Sequence, residues 1–402
     1  MPPYLVWFAS SDRKHFGDFR VDELRGHLDY LGLQSDDVPR DLHIDCPYVV
    51  VPLPNDEACR VIMERSVLIN RIAEVYACGP SVDELLERTA ERFKLHPEQC
   101  PDASQSFCMR MHSFGVSMKD TDAVSVLSRF MNTLQFQGTV QLKRPDFQYD
   151  VLCDYGRPDT STTRQLKKAF FTRLVAVRGK SMRFSLKTRA YIGPTSTDHQ
   201  LAQLMAIQVQ ARPNAFICDP FAGTGSLLVA CAYFGAKCVG SDIDWKVVHG
   251  KDGVNFRSNF SQYELLCPDI IRSDNSIPAW RHDMRFDGII TDPPYGIRAG
   301  ARKAGQRREA HRRTVDTRYF ESHYAPTQHY DPVDVMRDLL DMAARHLRLG
   351  ARLVYLLPAT ADFDPVVDLP SHPSLTCVAN SEQLCAGGLC RRLITMVKTS
   401  DP

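Results

Sequence analysis

The sequence is short of several things. No stretch of its 402 residues reaches the ~18 uninterrupted apolar residues that a membrane helix requires, so no spanning segment is expected. The start has no basic lead-in, and the apolar run at residues 4–9 is strand-sized, so no secretory leader is expected either. The 13 cysteines are scattered, and Cys385 and Cys390 lack a matching second pair. That argues against a zinc site and for reduced thiols in a cytoplasmic protein. The 13 histidines form no His-x-x-x-His or Cys/His cluster, so no metal ligands are expected, and no Ser–His–Asp or Cys–His set stands out. Composition is near the globular average, which excludes disordered, collagenous and low-complexity classes. The length suits two or three domains, each able to bury a core.

Net charge is also nearly absent: 49 Lys+Arg stand against 48 Asp+Glu, a balance of +1. That sum hides opposed segments. Residues 157–189 hold ten basic residues and one acid, Asp159, a local +9. Residues 297–318 hold eight basic residues and two acids, Glu309 and Asp316, a local +6. A total of +1 then leaves −14 for the rest of the chain. A basic arm and a basic loop on an acidic body is the footprint expected for a nucleic-acid partner. Contacts to phosphate from such residues are independent of base sequence and weaken with salt.

Periodicity divides the chain. Residues 4–9 and 48–53 read as strands. Residues 21–31 read as a helix, with Leu24, Leu28 and Leu31 on one face, and Asn55 can cap a helix running to about residue 64. A small α+β layer is the natural outcome. Strand-like alternation resumes at 107–114. A helix follows over 122–134, with Val124, Leu127 and Met131 aligned, and then strands at 140–142, 149–152 and 174–177. After residue 189 short apolar strands (215–218, 237–240, 286–291, 352–357) alternate with helices (225–234, 333–347), the pattern of a doubly wound, mostly parallel sheet.

Four short motifs carry chemistry. Asp219-Pro220-Phe221-Ala222-Gly223-Thr224-Gly225-Ser226 lies between a strand and a helix. Its glycines let backbone approach a ligand, and the helix start offers free N–H groups. It has neither the third glycine of the dinucleotide fingerprint nor the lysine of a phosphate-cradling loop. An adenosine-containing ligand with an amino-acid tail therefore fits better than a pyrophosphate, with Asp219 toward a cationic amino group. Asp242, with Asp244 as the fallback, follows the next strand, where an acid accepts hydrogen bonds from a ribose diol. Asp274 could reach an adenine amino group or serve as a turn residue.

The sharpest motif is Thr291-Asp292-Pro293-Pro294-Tyr295-Gly296, directly after a strand. A carboxylate and a backbone carbonyl aimed at an exocyclic amino group hold both its hydrogens. The nitrogen lone pair then faces an electrophile instead of delocalising into the base. The two prolines remove backbone donors, and Tyr295 offers a face on which a flipped base could stack.

With these residues the chain resembles the class I amino-methyltransferases that use S-adenosylmethionine. It is more closely similar to the catalytic subunits of the eukaryotic tRNA guanosine-10 N2-methyltransferases. The matching stretches are Leu186-Lys187-Thr188-Arg189-Ala190-Tyr191-Ile192-Gly193-Pro194-Thr195-Ser196, Asn259-Phe260-Ser261-Gln262-Tyr263, Asp292 through Arg298, and Arg391-Arg392-Leu393-Ile394-Thr395-Met396. The resemblance implies a ferredoxin-like α+β domain over 1–80, a THUMP RNA-binding domain over 81–185, and a Rossmann-like α/β, seven-stranded methyltransferase domain over 186–402. It also implies a small zinc-binding activator subunit as heterodimer partner. Two places differ from the family pattern. Thr197 stands where a Met is usual, a difference expected to be neutral, and residues 299–324 are Arg-rich.

The expectation is transfer of a methyl group from S-adenosylmethionine to the N2 amino group of guanosine at position 10 of tRNA. Asp292, Pro293, Pro294 and Tyr295 would serve the acceptor, and Asp219, Phe221, Gly223, Gly225, Asp242, Asp244 and Asp274 the cofactor. Arg164, Lys167, Lys168, Lys187, Arg189, Arg298 and Arg302 would contact RNA. Methylation of another tRNA guanosine, of DNA or of protein, and a catalytically silent RNA-binding scaffold, are the alternatives the residues leave open.

Overall fold

The computed structural model describes the chain apart from residues 10–15, 37, 40–41, 44, 157–164, 180–183, 194–195, 278, 295–301, 305–326, 361 and 386–389, and the side chains of residues 304, 327 and 328. The chain divides into two compact units, Met1–Lys180 and Ser181–Pro402.

The first unit contains β1 (Pro3–Phe8), α1 (Phe19–Tyr30), β2 (Tyr48–Pro52), α2 (Asp56–Arg65), β3 (Ile69–Gly79), α3 (Val82–Leu95), β4 (Ser106–Phe114), α4 (Asp120–Leu134), β5 (Thr139–Val140), β6 (Phe147–Asp154) and β7 (Lys168–Val177). Local signals set several of these. Asn55 accepts a hydrogen bond from the Ala58 N–H (3.0 Å) to open α2, and Ser81 accepts one from Glu84 (3.2 Å) to open α3. Leu24 and Leu28 of α1 are buried, as the helical spacing requires. In α4 the aligned Val124 is instead exposed, and Phe130 is the residue that goes under, stacked on Phe171. A large ring captures more apolar contact than a valine, so the helix settles with Phe130 inward.

All seven strands form one sheet in the order β2-β1-β3-β7-β6-β4-β5. The expected domains 1–80 and 81–185 thus share a sheet, because β3 pairs antiparallel with β7 across the expected boundary. Side chains stitch the same seam. Arg173 of β7 pairs with Asp56 at the start of α2 and with Glu74 of β3, each at 2.8 Å, and Glu74 also meets Arg92 of α3 at 3.3 Å.

The second unit contains α5 (His199–Gln208), β8 (Phe216–Asp219), α6 (Ser226–Tyr233), β9 (Lys237–Asp242), α7 (Trp245–His249), α8 (Phe256–Gln262), β10 (Asp269–Arg272), β11 (Phe286–Thr291), β12 (Arg302–Ala304), β13 (Thr327–His329), α9 (Pro332–His346), β14 (Leu347–Ala359), β15 (Leu375–Leu384) and β16 (Cys390–Lys398). Its main sheet runs β10-β9-β8-β11-β14-β16-β15. The first five strands are parallel, and β16 runs antiparallel to both of its neighbours, β14 and β15, which makes the seven-stranded, doubly wound sheet that the strand–helix alternation predicts. Leu339, Leu340 and Ala343 of α9 bury against Ile289, Leu353 and Tyr355 of the central strands. Each such large side chain contributes about 1.5–3 kcal/mol of burial free energy. Chain order reverses between β8 and β11, so the carboxyl ends of these strands open a crevice at the sheet's switch point.

Candidate active site

The site grows from that edge. Asp219 ends β8, Asp242 ends β9, Asp274 lies just beyond β10, and Asp292 follows β11 directly. Thus the acids singled out from four separate motifs sit at the carboxyl ends of four adjacent strands.

The glycine turn is built by backbone geometry. Gly225 has φ +81°, and a Cβ there would lie 2.6 Å from the Phe256 ring of α8, so only glycine fits. Gly223 has φ +50° and a contrasting environment: the nearest atom to a Cβ would be the Phe221 carbonyl at 4.0 Å. Space beside Gly223 is therefore open to a ligand. Its N–H donates to Asp242 Oδ2 (2.8 Å), and Asp242 Oδ1 accepts from the Asp244 N–H (2.7 Å). Asp244 itself is exposed and caps α7 through the Lys246 N–H (3.1 Å). Between the two acids, the structure puts Asp242 in the turn and Asp244 on the surface. Asp274 is half-buried and closes its own turn, accepting from the Ser276 N–H (2.9 Å) and hydroxyl (2.7 Å). Phe221 packs against Tyr330 and Val335, forming one wall.

Asp219 is nearly inaccessible, and its Oδ1 accepts from the Phe221 N–H (3.0 Å) and the Thr291 hydroxyl (2.8 Å). Burial pushes its carboxyl up to about 7, despite those two hydrogen bonds, with the nearby charges of Asp242 and Asp292 adding to the rise. Burial likewise lifts Asp242 to about 6, with Asp244 contributing. Acids crowded together in this way favour a bound cation. The open space at Gly223, the ribose-compatible Asp242 and this cation-seeking acid set fit a cofactor with a cationic amino-acid tail.

Asp292 is half-buried, Pro293 buried, and Pro294 half-buried. Asp292 Oδ2 accepts from the hydroxyl of Thr197 at 3.4 Å. Tyr295 lies outside the described residues, as do Arg298 and Arg164. Of the other basic residues singled out, Lys167, Lys168, Lys187 and Arg302 are exposed.

Arg189 is a correction: it is buried, donating to the Ser226 hydroxyl (2.8 Å) and the Phe184 carbonyl (3.1 Å). It anchors the start of α6 and has no surface to offer RNA. Arg173 and Arg178 of the same arm also turn inward, the latter to the Val67 carbonyl, so the arm presents less free charge than its count suggests. Lys187 and Arg189 belong to the second unit, so the arm is divided between the two.

Two of the motif stretches turn out to bind each other. Asn259 of α8 donates to the carbonyls of Tyr191 (2.8 Å) and Thr224 (3.0 Å) and accepts from the Tyr191 N–H (2.9 Å). Gln262 accepts from the Ala190 N–H (2.7 Å) and donates to the Thr188 carbonyl (2.6 Å). Ser196 closes the lacing, its hydroxyl 2.9 Å from that of Thr224. These residues hold the glycine turn in place, a role no single-motif reading assigns them.

Parallel strands with this order, a two-glycine turn and an Asp-Pro-Pro acceptor turn define a class I, S-adenosylmethionine-dependent methyltransferase. Residues 2–181 match the Tmrp11 THUMP N-terminal domain family and residues 187–314 the RMKL-like methyltransferase domain. The mouse tRNA (guanine(10)-N(2))-methyltransferase TRMT11 is 33% identical over 99% of this chain and 88% of its own length. The Dictyostelium discoideum TRMT11 is 31% identical over 99% and 82%. A crystal structure of TrmN from Thermus thermophilus covers 98% of this chain and 99% of that one at 19% identity, with a TM-score of 0.43. The chain belongs to the tRNA (guanine(10)-N2)-methyltransferase family.

Proposed function

We propose that this chain methylates the N2 amino group of guanosine 10 in tRNA, with Asp292 and the Pro293 carbonyl orienting that amino group. The observation that carries the reading is the departure of Asp292-Pro293-Pro294 from β11 at the edge where Asp219 and Asp242 end their strands. S-adenosylmethionine supplies a sulfonium methyl electrophilic enough that no strong general base is required. Asp219 faces the cationic amino group of its tail, Gly223 and Gly225 give it backbone room, Asp242 takes the ribose, and Asp274 the adenine amino group. Phe221 lines the pocket. Asp292 draws the acceptor's two hydrogens with the Pro293 carbonyl, leaving the nitrogen lone pair directed at the methyl. Pro294 stiffens the turn, and Tyr295 stacks the displaced base.

Lys167, Lys168, Lys187, Arg298 and Arg302, with Arg164, contact phosphates of the tRNA. A small zinc-binding activator completes the enzyme, seated on an exposed apolar strand of the methyltransferase sheet. β10 ends that sheet with exposed Leu266 and Ile277 nearby, which makes it the favoured seat. Among the described residues no helix is long and apolar enough to cross a membrane, and action in the cytoplasm suits a tRNA substrate.

Co-expression with the activator and assay on tRNA tests the proposal. Asp292→Ala is expected to abolish methylation, a loss of at least about 10²–10³-fold, while leaving cofactor affinity nearly intact. Inosine at position 10, which lacks the amino group, is expected to be inert as acceptor. Normal turnover by Asp292→Ala, or methylation of the inosine tRNA, would overturn it.

A further inference from the structure

Three consecutive residues ahead of α5 cast their side chains onto three different elements. Ser196 bridges back to the Gly193 N–H (2.8 Å) and across to the Thr224 hydroxyl of the glycine turn (2.9 Å). Asp198 caps α5, accepting from the N–H groups of Gln200 (2.9 Å) and Leu201 (3.4 Å), and pairs with His199 at 3.3 Å. Thr197, between them, reaches Asp292 Oδ2 at 3.4 Å, and only 6% of its surface is exposed.

We propose that Thr197 is a positioning residue for the acceptor: its hydroxyl holds the Asp292 carboxylate in the orientation that engages the guanosine amino group. The inference rests on the role of Asp292 proposed above and deepens it. Ser196 and Asp198 clamp the backbone on either side, so the Thr197 hydroxyl is delivered from a rigid mount. A carboxylate on a single-bonded stem turns about χ1 and χ2 unless something holds it, and misorientation at a reacting centre is costly in rate. A hydrogen bond from a buried hydroxyl to a charged oxygen is among the stronger neutral-donor contacts. A separation of 3.4 Å suits an apo site, where such bonds run long and tighten as the substrate arrives. The same edge repeats the device: Thr291 holds Asp219 as Thr197 holds Asp292, but at 2.8 Å. The Thr for Met difference from the family pattern thus places a donor beside the acceptor turn.

The test uses the full chain with its activator and unmodified tRNA. Thr197→Val, nearly isosteric, is expected to lower kcat about tenfold. KM for tRNA and cofactor affinity by calorimetry are expected to stay within about twofold of wild type. Thr197→Ser, which restores the hydroxyl, is expected to recover most of kcat, an outcome that a packing role for the methyl group would not give. If valine is not accommodated, as judged by the thermal midpoint, Thr197→Ala removes the hydroxyl without adding volume. Wild-type kcat in Thr197→Val, or a Ser variant as slow as Val, overturns the inference while Asp292→Ala remains inactive. Full activity in Asp292→Ala would instead remove the functional reading on which it stands.

Discussion

Each unit holds a nearly inaccessible aspartate on a seven-stranded sheet, and the two behave oppositely. Asp150 in the first unit pairs with Arg71 at 3.3 Å and His112 at 3.4 Å. Burial alone would raise its carboxyl, but His112, Gln148 and Arg71 together hold it below the ordinary range. Asp219 in the second unit has, among the described residues, backbone N–H and hydroxyl partners only, with other acids nearby, and is pushed up to about 7. The first unit neutralises Asp150 internally; the second gathers Asp219, Asp242 and Asp292 where strands end. A carboxylate already matched within the protein has little left for a ligand. One that is buried among its own kind gains when a cation arrives.

The sharpest way to break this contrast is at Arg173. Arg173→Met removes the cation that half-buried Asp56 and Glu74 share, leaving Glu74 to Arg92 and Asp56 to Arg60, and is expected to destabilise the first unit by about 2 kcal/mol. Chemical denaturation should read that loss, while calorimetric cofactor affinity, a property of the second unit, should not change. Loss of cofactor binding with unchanged stability would invert the comparison.

A smaller effect concerns pH. Raised to about 7, Asp219 is protonated in the free protein across the weakly acidic range. It therefore adds stability at low pH that is lost as pH rises from the ordinary carboxylate range through about 7. A cationic ligand needs the ionised form, so its affinity should climb with pH over the same window, several-fold between about pH 6 and pH 8. Thermal midpoints with and without S-adenosylmethionine should diverge as pH rises. Parallel curves would show that Asp219 does not meet the cation.

The smallest effect should come from surface charge. Reversing Lys167 and Lys168 to Glu is expected to weaken tRNA binding about twofold at physiological salt, where such contacts are largely screened, and to flatten its salt dependence. Arg189, having no exposed charge, should contribute nothing to that slope. Filter binding across a salt series compares them directly.

How much of this was legible beforehand depended on range. Asn55 as a cap, the glycine turn and the Asp-Pro-Pro turn are local features, and local chemistry dictated them. The four acids stood at strand ends because strand–helix alternation implies a parallel sheet whose ligands gather at one edge. Charge counting went astray at Arg173, Arg178 and Arg189, since composition does not reveal which way a side chain turns. Nor could it show that Thr197, taken as a neutral difference, would lie against Asp292.

The sequence by itself determined the class of chemistry: a two-glycine turn, spaced acids and an acceptor turn admit few other uses at those spacings. Only the tertiary structure decided the union of the first 180 residues around one sheet, the lacing of Asn259 and Gln262 to the segment before α5, and the meeting of Thr197 with Asp292. The physical reason is separation along the chain. Thr197 and Asp292 are 95 residues apart, and no local propensity encodes a contact that exists only once two strand ends and a helix start have packed together.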